Sequence, residues 1–510
     1  MSAPENRPSH SDAAVIDVGS NSVRLVIYRL DGRAIWSVFN EKVVAGLGRD
    51  LARTGRLSPE GAEATIMALK RFKALVDASR PGLVFAAATA AVRQAVDGAA
   101  FRERVERETG FKLQILTGEQ EAQYAAEGVI AGAPNAAGLV GDLGGASLEL
   151  VRLGANGPGQ GVTLPLGPFS LDAAFRFNAG STRAAAIKHI AGVERVFRSD
   201  TLHAVGGAWR NLALLHMRIS NYPLSIVHQY EIGRQDILDA SRFIGQQSKG
   251  SLERIVGFSK RRLETLPHAA IVLETLVERL GIQRVVMSAY GLREGLVWQA
   301  MAPEIQTRDP LVAGCAAMGG RQPVAESLGQ ALEAWAGSAF GKLDSLFGAR
   351  DPVLLAAAAR LAELGAQLHP DHRAELVFNQ VLRSPIAGLD HPERAFLACA
   401  AFSRHTSSGQ PPNPVLVARL LSPERQQRAR ALGAALRLGC DISGRSPELL
   451  GRTWLDFKPG VVTLHAENEW APVLLGDPAN KRGQALATLL GRTFKARAAG
   501  QKTKALAETV

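Results

Sequence analysis

The sequence predicts an α/β protein built from two similar lobes, with an all-helical stretch and a small α+β module behind them. Three observations carry this expectation. Ile16-Asp17-Val18-Gly19-Ser20-Asn21-Ser22 and Gly141-Asp142-Leu143-Gly144-Gly145-Ala146-Ser147-Leu148-Glu149 share one plan: an apolar strand ending in Asp, a turn of Gly and small polar residues, then a second apolar strand. The order of strands and helices after the first segment recurs after the second. Near residue 305 the mixed pattern gives way to helical periodicity alone.

The first lobe is expected over 13–130, behind a polar, Pro-containing lead at 1–12 that reads as disordered. Apolar runs between turn residues give strands over 13–16, 23–28 and 34–40. Ser58-Pro59-Glu60 marks a helix start, and an apolar period follows through Met67, Leu69, Phe72 and Val76. A strand over 83–88, a helix over 97–109 closed by Gly110, and a strand over 112–116 complete a βββαβαβ-like order. The next helix carries Glu119 and Glu121 in its first turn, where the macrodipole favours the carboxylate form.

The second lobe, 131–305, repeats this plan in element order rather than residue identity. Strands are expected over 138–142, 147–153 and 162–166, then a helix over 183–197, a strand over 202–205, helices over 209–218, 234–245 and 267–280, and a strand over 284–288. Residues 306–450 are Ala- and Leu-rich helices with arginines on their polar faces. In the module at 451–510, strands over 453–457 and 461–465 flank Pro459-Gly460, a third is expected over 473–475, and an amphipathic helix over 484–494. Its basic end, with Lys481, Arg482, Arg492, Lys495, Arg497, Lys502 and Lys504, reads as a solvated tail or, alternatively, as part of a polyanion track.

Bulk properties bound the function without selecting it. A formal net charge of +11 and a pI near 9.8 favour acidic partners, although many basic proteins have none. At 510 residues the chain is long for a single core. Cys315, Cys399 and Cys440 are far apart in apolar helical patterns and read as buried thiols of a reducing compartment. The N-terminus has no apolar stretch behind a basic start, and the alanine-rich 353–368 is broken by Arg360 and Glu363. A cytoplasmic protein without a membrane span is therefore expected.

Glycines let backbone N–H groups approach an anion, and Ser and Asn add donors without bulk. Such a loop cradles phosphate, and the Asp beside it offers an oxygen to a divalent cation shared with that phosphate. Either segment alone reads as an ordinary hairpin turn, with Asp17 or Asp142 as a turn-forming side chain. Two of them in lobes of one plan suggest a cleft with a phosphate loop on each wall.

Together the two loops resemble those of the acetate kinase, sugar kinase, heat-shock ATPase and actin superfamily. Within it, five segments in order are similar to the exopolyphosphatase and guanosine pentaphosphate phosphohydrolase family. They are the first loop, Asp17 to Ser22; Ala88-Thr89-Ala90-Ala91-Val92-Arg93; Leu116-Thr117-Gly118-Glu119-Gln120-Glu121-Ala122; Ala204-Val205-Gly206-Gly207; and Tyr290-Gly291-Leu292-Arg293-Glu294-Gly295. The likeness is greatest to the long bacterial exopolyphosphatases. It implies duplicated actin-like, ribonuclease-H-like lobes, followed by a helical domain akin to the metal-dependent His-Asp phosphohydrolases. In that domain Ala362-Glu363 stands where a His-acid pair belongs, and His369, Asp371, His372 and Asp390-His391 are scattered near loops. A degenerate domain without metal is expected.

The chain departs from the family pattern where Ala146 and Leu148 replace Gly and Thr, and where Gln120 replaces the first of two glutamates. Ala146 fits only with a negative φ; Gln120 leaves Glu121 as the one carboxylate of its pair. The resemblance implies that Gly19, Ser20, Asn21, Ser22, Thr89, Arg93, Gly144, Gly145, Ala146 and Ser147 hold phosphate, Arg93 being able to grip it bidentately. Glu121 is the implied general base. Asp142, Glu149 and Asp17 are the implied shell of magnesium or another divalent cation. Ser147 and Glu149, two apart, share a strand face. In isolation Arg93 reads as a surface ion-pair partner and Glu121 as a helix N-terminal acid. Lys42, Arg49, Arg210, Arg261 and Arg262 are candidates, on charge alone, for contacts along a polyanion.

The activity implied is removal of the terminal phosphate of inorganic polyphosphate, with release of orthophosphate. Hydrolysis of guanosine pentaphosphate (pppGpp) to the tetraphosphate (ppGpp) uses the same residues and stays open. Two readings come from other classes: a sugar or acid kinase of the superfamily, and a non-catalytic polyphosphate or alarmone sensor. The Glu121 segment and Gly291 to Gly295 are not kinase features, whereas Ala146, Leu148 and Gln120 lend weight to a sensor. A homodimer is expected, with no nucleic acid or membrane partner.

Overall fold

The computed structural model describes residues 11–154, 157–171, 177–247, 265–320, 323–407 and 409–499. The chain forms two compact units, Met1–Thr307 and Arg308–Val510. The first contains two sheets of one design. In one, β1 (Ser11–Val18), β2 (Ser22–Asp31), β3 (Ala34–Val44), β4 (Leu83–Ala88) and β5 (Gln114–Ile115) lie in the order β3-β2-β1-β4-β5. In the other, β6 (Gly138–Leu143), β7 (Leu148–Gly154), β8 (Gly157–Leu164), β9 (Thr201–Val205), β10 (Glu231–Gly233) and β11 (Arg284–Met287) lie in the order β10-β11-β9-β6-β7-β8. Leaving aside β10, which pairs antiparallel at the far edge, the two orders coincide strand for strand. Each has an antiparallel hairpin and a third antiparallel strand on one side of the first strand, and parallel strands on the other.

Because β1 and β6 are central and covered on both faces, they are apolar almost throughout rather than alternating. Ile16, Val18, Leu25 and Ile27 pack on Ile66, Leu69 and Phe72 of helix Pro59–Ser79. Leu139, Leu148 and Leu150 pack on Trp209 and Leu212 of helix Gly207–Ile219, with helix Leu266–Arg279 behind. The other faces meet across helix Gly118–Gly132. Its Ala122, Ala126 and Val129 cover Val140, Val151 and Val205, while Tyr124 joins Val15, Val26, Leu296 and Val297. That helix is small-sided because its neighbours leave no room: a Cβ at Gly128 would stand 2.0 Å from the Gly291 carbonyl oxygen. Helix Leu292–Gln299, not anticipated, therefore packs against helix 118–132 and the first sheet, although it follows the second lobe in sequence.

Local signals hold where they are strongest. Ser58 caps helix Pro59–Ser79, accepting from the Gly61 amide, and Gly110 closes helix Gly98–Thr109 in the left-handed region. Met67 is a correction. It is 66% exposed, because it lies on the opposite face of the helix from Ile66, Leu69 and Phe72. The lead is shorter than expected, since Ser11 and Asp12 already pair with Leu30 and Arg29; the rest of it lies outside the described residues, as do Arg261, Arg262, Lys502 and Lys504.

The second unit is helical from Pro310–Gly319 to Pro447–Gly451. Among its described helices, those behind the Asp309, Asn413, Ser422 and Ser446 caps open on Pro, and the one behind Asp390 carries Pro at its second position. It ends in a sheet of β12 (Thr453–Lys458), β13 (Val461–Glu467) and β14 (Thr493–Ala499). Two expectations fail here. The stretch 473–475 is no strand but falls at a short helix, Ala471–Leu474, and helix Asp477–Leu489 stops before Phe494. Gly491, at φ 65°, turns the chain into β14, which pairs parallel to β13 and carries Lys495 and Arg497 in a sheet rather than a tail. Cys315, Cys399 and Cys440 are buried and free. Among the described residues no helix is long and apolar enough to cross a membrane.

Candidate active site

The two predicted loops are one structure built twice. Each sits at the tip of a hairpin, β1–β2 or β6–β7, and each closes with an amide-to-carbonyl bond three residues on: Gly19 N to Ser22 O at 3.0 Å, and Gly144 N to Ser147 O at 2.9 Å. In both, the two middle carbonyls are tied outward. Ser20 O accepts from Gly48 and Asn21 O from Ala45 and Gly46; Gly145 O accepts from Phe169 and Ala146 O from Gly167. Among the described residues none accepts from the amides of Ser20, Asn21, Gly145 or Ala146, so these donors face away from the scaffold. Ala146 lies outside the positive-φ region, which removes the conflict its Cβ would otherwise create.

The loops also face each other. A Cβ added at Gly145 would stand 3.3 Å from the Ser20 Cβ and 3.1 Å from the Phe169 ring, so glycine lets the two walls approach here without either neighbour giving way. Ser20 and Ser147 are buried, while Gly144 is exposed. Thr89 donates its amide to Val18 O at 3.2 Å and starts the short helix Ala90–Gln94 that brings Arg93 to the cleft.

Glu121 is 6% exposed in the first turn of helix 118–132. Thr117 and Gln120 form a capping box there, so Gln120 performs with its amide the backbone contact a glutamate would make. Arg93 forms a close ion pair with Glu121 and donates to the Leu116 carbonyl at 2.6 Å. Burial pushes the Glu121 carboxyl up to about 7 against the pull of Arg93, and Asp142 and Asp17 push it the same way. Asp142 is likewise pushed up to about 7, by burial and then by Asp17. Glu149 is driven well above the carboxylate range by burial, with Glu121 and Asp142 adding to it. Asp17 is raised by burial, partly offset by Arg293. Glu121, Asp142, Glu149 and Asp17 therefore share one electrostatic site.

Three participants went unassigned in the sequence. Arg293 Nη1 lies 3.8 Å from Asp17 Oδ2, on the helix that packs against helix 118–132. Glu294 beside it accepts from Gly291 N at 2.9 Å and from the Tyr28 hydroxyl. Arg24 stands opposite Asp17 on β2, the place Glu149 takes opposite Asp142 on β7. The signal for Arg293 was its own segment, Tyr290 to Gly295; for Arg24 it was the register of the duplicated hairpins. Lys42 lies opposite Arg24, and both Lys42 and Arg49 are exposed. Arg210 is exposed on helix Gly207–Ile219 and bears on Arg24.

Among the described residues no three His, Cys, Asp or Glu side chains are arranged to hold a metal ion unaided. A divalent cation such as magnesium nonetheless fits the cleft, because it takes one or two carboxylates and completes its shell with phosphate oxygens and water. Glu149 Oε1 is buried without a hydrogen-bond partner, and Asp142 next to it is an acid pushed towards neutrality; both gain from positive charge. In the second unit His369, Asp371 and His372 are exposed at the start of helix Pro370–Arg383, His391 is buried, and Asp390 caps its own helix.

Residues 26–304 match the Ppx/GppA phosphatase family and residues 323–496 the family described as exopolyphosphatase, C-terminal. Exopolyphosphatase 1 of Mycobacterium tuberculosis is 26% identical over 304 residues, 57% of this chain and 88% of the relative. A guanosine-5'-triphosphate,3'-diphosphate pyrophosphatase of Aeromonas hydrophila is 28% identical over 295 residues, 56% of this chain and 58% of the relative. The crystal structure of the Aquifex aeolicus Ppx/GppA family member superposes with a TM-score of 0.51 at 27% identity, covering 57% of this chain and 97% of that one.

Proposed function

The chain belongs to the Ppx/GppA phosphatase family, and from that premise we propose that its cleft hydrolyses the terminal phosphoanhydride of inorganic polyphosphate and releases orthophosphate. The observation that carries the reading is Glu121: a buried carboxyl held near neutrality, gripped by Arg93 and set among Asp17, Asp142 and Glu149 beside two facing phosphate loops. A base is most useful when its pKa lies near the working pH.

The chemistry asks for little beyond positioning and charge neutralisation. The amides of Ser20, Asn21, Gly145 and Ala146, with the Ser22, Thr89 and Ser147 hydroxyls and the Arg93 guanidinium, hold the terminal phosphate's oxygens. The flanking Gly19 and Gly144 close the two turns. Glu121 orients a water and takes its proton as the water oxygen bonds to phosphorus and the bridging oxygen leaves with the shortened chain. Asp142 and Glu149, with Asp17, would hold magnesium or another divalent cation, which when bound neutralises phosphate charge. Arg293 and Arg24 neutralise charge on the Asp17 side of the cleft.

A second substrate, guanosine pentaphosphate, has its own support in the similarity to the pyrophosphatase of Aeromonas hydrophila. Departures that favoured a sensor are accommodated: Ala146 has an ordinary backbone conformation, Leu148 packs in the core of the second sheet, and Gln120 completes a capping box. We read the lobes as actin-like and residues 306–450 as a degenerate HD-like domain, since Ala362-Glu363 stands where a His-acid pair belongs. The protein works in this reading as a cytoplasmic homodimer. Orthophosphate release with magnesium from polyphosphate, guanosine pentaphosphate and ATP in parallel tests the reading; a preference for ATP, or no release from any of them, refutes it.

A further inference from the structure

In the second unit four arginines crowd two carboxylates. Arg404, at the end of helix His391–His405, and Arg445, just past helix Pro423–Ser443, each stand 3.5 Å from the same oxygen of Glu363. Arg437 and Arg482 both approach Asp441 Oδ2, at 3.9 and 2.8 Å. Only the Arg482 contact is short enough for a good hydrogen bond. Cys440 joins the two groups: Arg404 hydrogen-bonds its sulfur, and both Glu363 and Asp441 bear on its thiol. Four guanidiniums against two carboxylates leave a formal charge of +2. Nearby His405 is held down to about 4, chiefly by burial, with Arg404, Arg373 and Arg437 adding to it.

The hydrogen bonding of the cluster is incomplete. Arg404 is 5% exposed, yet its Nε has no partner; Arg437 Nη1 is also buried and unpartnered. Buried guanidinium N–H groups are costly to leave without acceptors, and a structural ion-pair network would place them on its own acids. Glu363 Oε1 is itself without a hydrogen bond, so the arginines are held near that carboxylate without being consumed by it. The side chain of Arg445 is 46% exposed and that of Arg482 26%, so solvent reaches the cluster at both residues.

We propose that this cluster is an oxyanion site for phosphate, taken either as the free anion or as a phosphoryl group of a polyphosphate chain. Forked guanidinium donors converging with net positive charge suit tetrahedral phosphate oxygens better than any neutral ligand. The site is built from residues that the cleft chemistry does not use.

The test is equilibrium binding of radiolabelled orthophosphate at low ionic strength to the full chain carrying Arg93→Ala, which weakens the cleft's own phosphate clamp. A saturable site should remain. Combining Arg445→Ala with Arg482→Ala, both partly exposed and tolerant of removal, should weaken it by about tenfold or more, as expected for losing two charge-assisted donors. Glu363→Gln should tighten it several-fold by withdrawing the competing charge, a gain that a purely structural cluster would not show. Repeating the Arg445→Ala, Arg482→Ala comparison with long polyphosphate in a Glu121→Gln background separates the sources. Weakening there assigns the site to the chain, and weakening for orthophosphate alone assigns it to the free anion. No saturable site in the Arg93→Ala chain, or orthophosphate binding unmoved by these substitutions, overturns the proposal, whatever the outcome of the hydrolysis assays.

Discussion

Arg93→Ala should move the pH dependence of hydrolysis as well as its rate. Glu121 is pushed up to about 7 because burial outweighs the pull of Arg93. Removing the guanidinium removes the pull that opposes burial, so the carboxyl should rise further. A hydrogen bond to a charged group contributes roughly 1.5–3 kcal/mol, and one pKa unit corresponds to about 1.36 kcal/mol, which gives a shift of about one to two units. Arg93 keeps 22% of its side chain exposed, so water replaces part of the lost charge and the lower figure applies. The assay is kcat/KM for a short polyphosphate from pH 5 to 10 at fixed magnesium, where the acid limb reports the free enzyme's base. The limb should lie near pH 7 in the parent and about one unit higher in Arg93→Ala, with a lower plateau because a phosphate donor is gone. Arg93→Lys should restore the limb but not the plateau, since it keeps charge and loses the fork. A limb that stays in place, or moves to lower pH, would show that Glu121 is not the titrating base or that Arg93 does not act on it.

Glu121→Gln keeps the size of the side chain and removes the base, so turnover should fall by about two orders of magnitude or more while polyphosphate still binds; near-normal turnover excludes Glu121 from the mechanism. Asp142 keeps its proton to about 7 in the folded chain but only to about 4 when unfolded, so between those values the native state binds more protons and loses stability as pH rises. Thermal melts without divalent cation should therefore decline from pH 5 to pH 8, by an amount on the order of 2–4 kcal/mol for this group, and Asp142→Asn should flatten the decline. Gly128→Ala places a Cβ 2.0 Å from the Gly291 carbonyl oxygen, which should cost about 1–3 kcal/mol by chemical denaturation. The same change should lower activity because it displaces the helix carrying Arg293, and an active variant of unchanged stability would refute that packing argument.

Much of the cleft was legible in the sequence because its signals are local. A strand, a glycine turn and a second strand form a hairpin tip from a few consecutive residues, so both loops were found, together with the start of the helix that carries Glu121. The duplication was legible for the same reason, as element order. Reading went wrong where the outcome depends on which of two local states the tertiary structure favours. The stretch around 473–475 is apolar enough for a strand, yet Trp470 and Pro472 open a short helix there, and the third strand forms from Thr493–Ala499 once Gly491 has turned the chain.

Local order was enough for the repeated βββαβαβ plan, the residue types of both loops and the place of Glu121 at a helix start, since each rests on spacing within a short window. Folding brings Gly145 to Ser20 across a cleft, pairs Arg93 with Glu121 and carries Arg293 to Asp17, none of which local spacing could give. It alone decided the charge state on which the chemistry rests. A carboxylate's pKa follows from how much water and how many neighbouring charges folding leaves around it, and those neighbours, drawn from strands and helices far apart in the chain, have no signature in the order of residues.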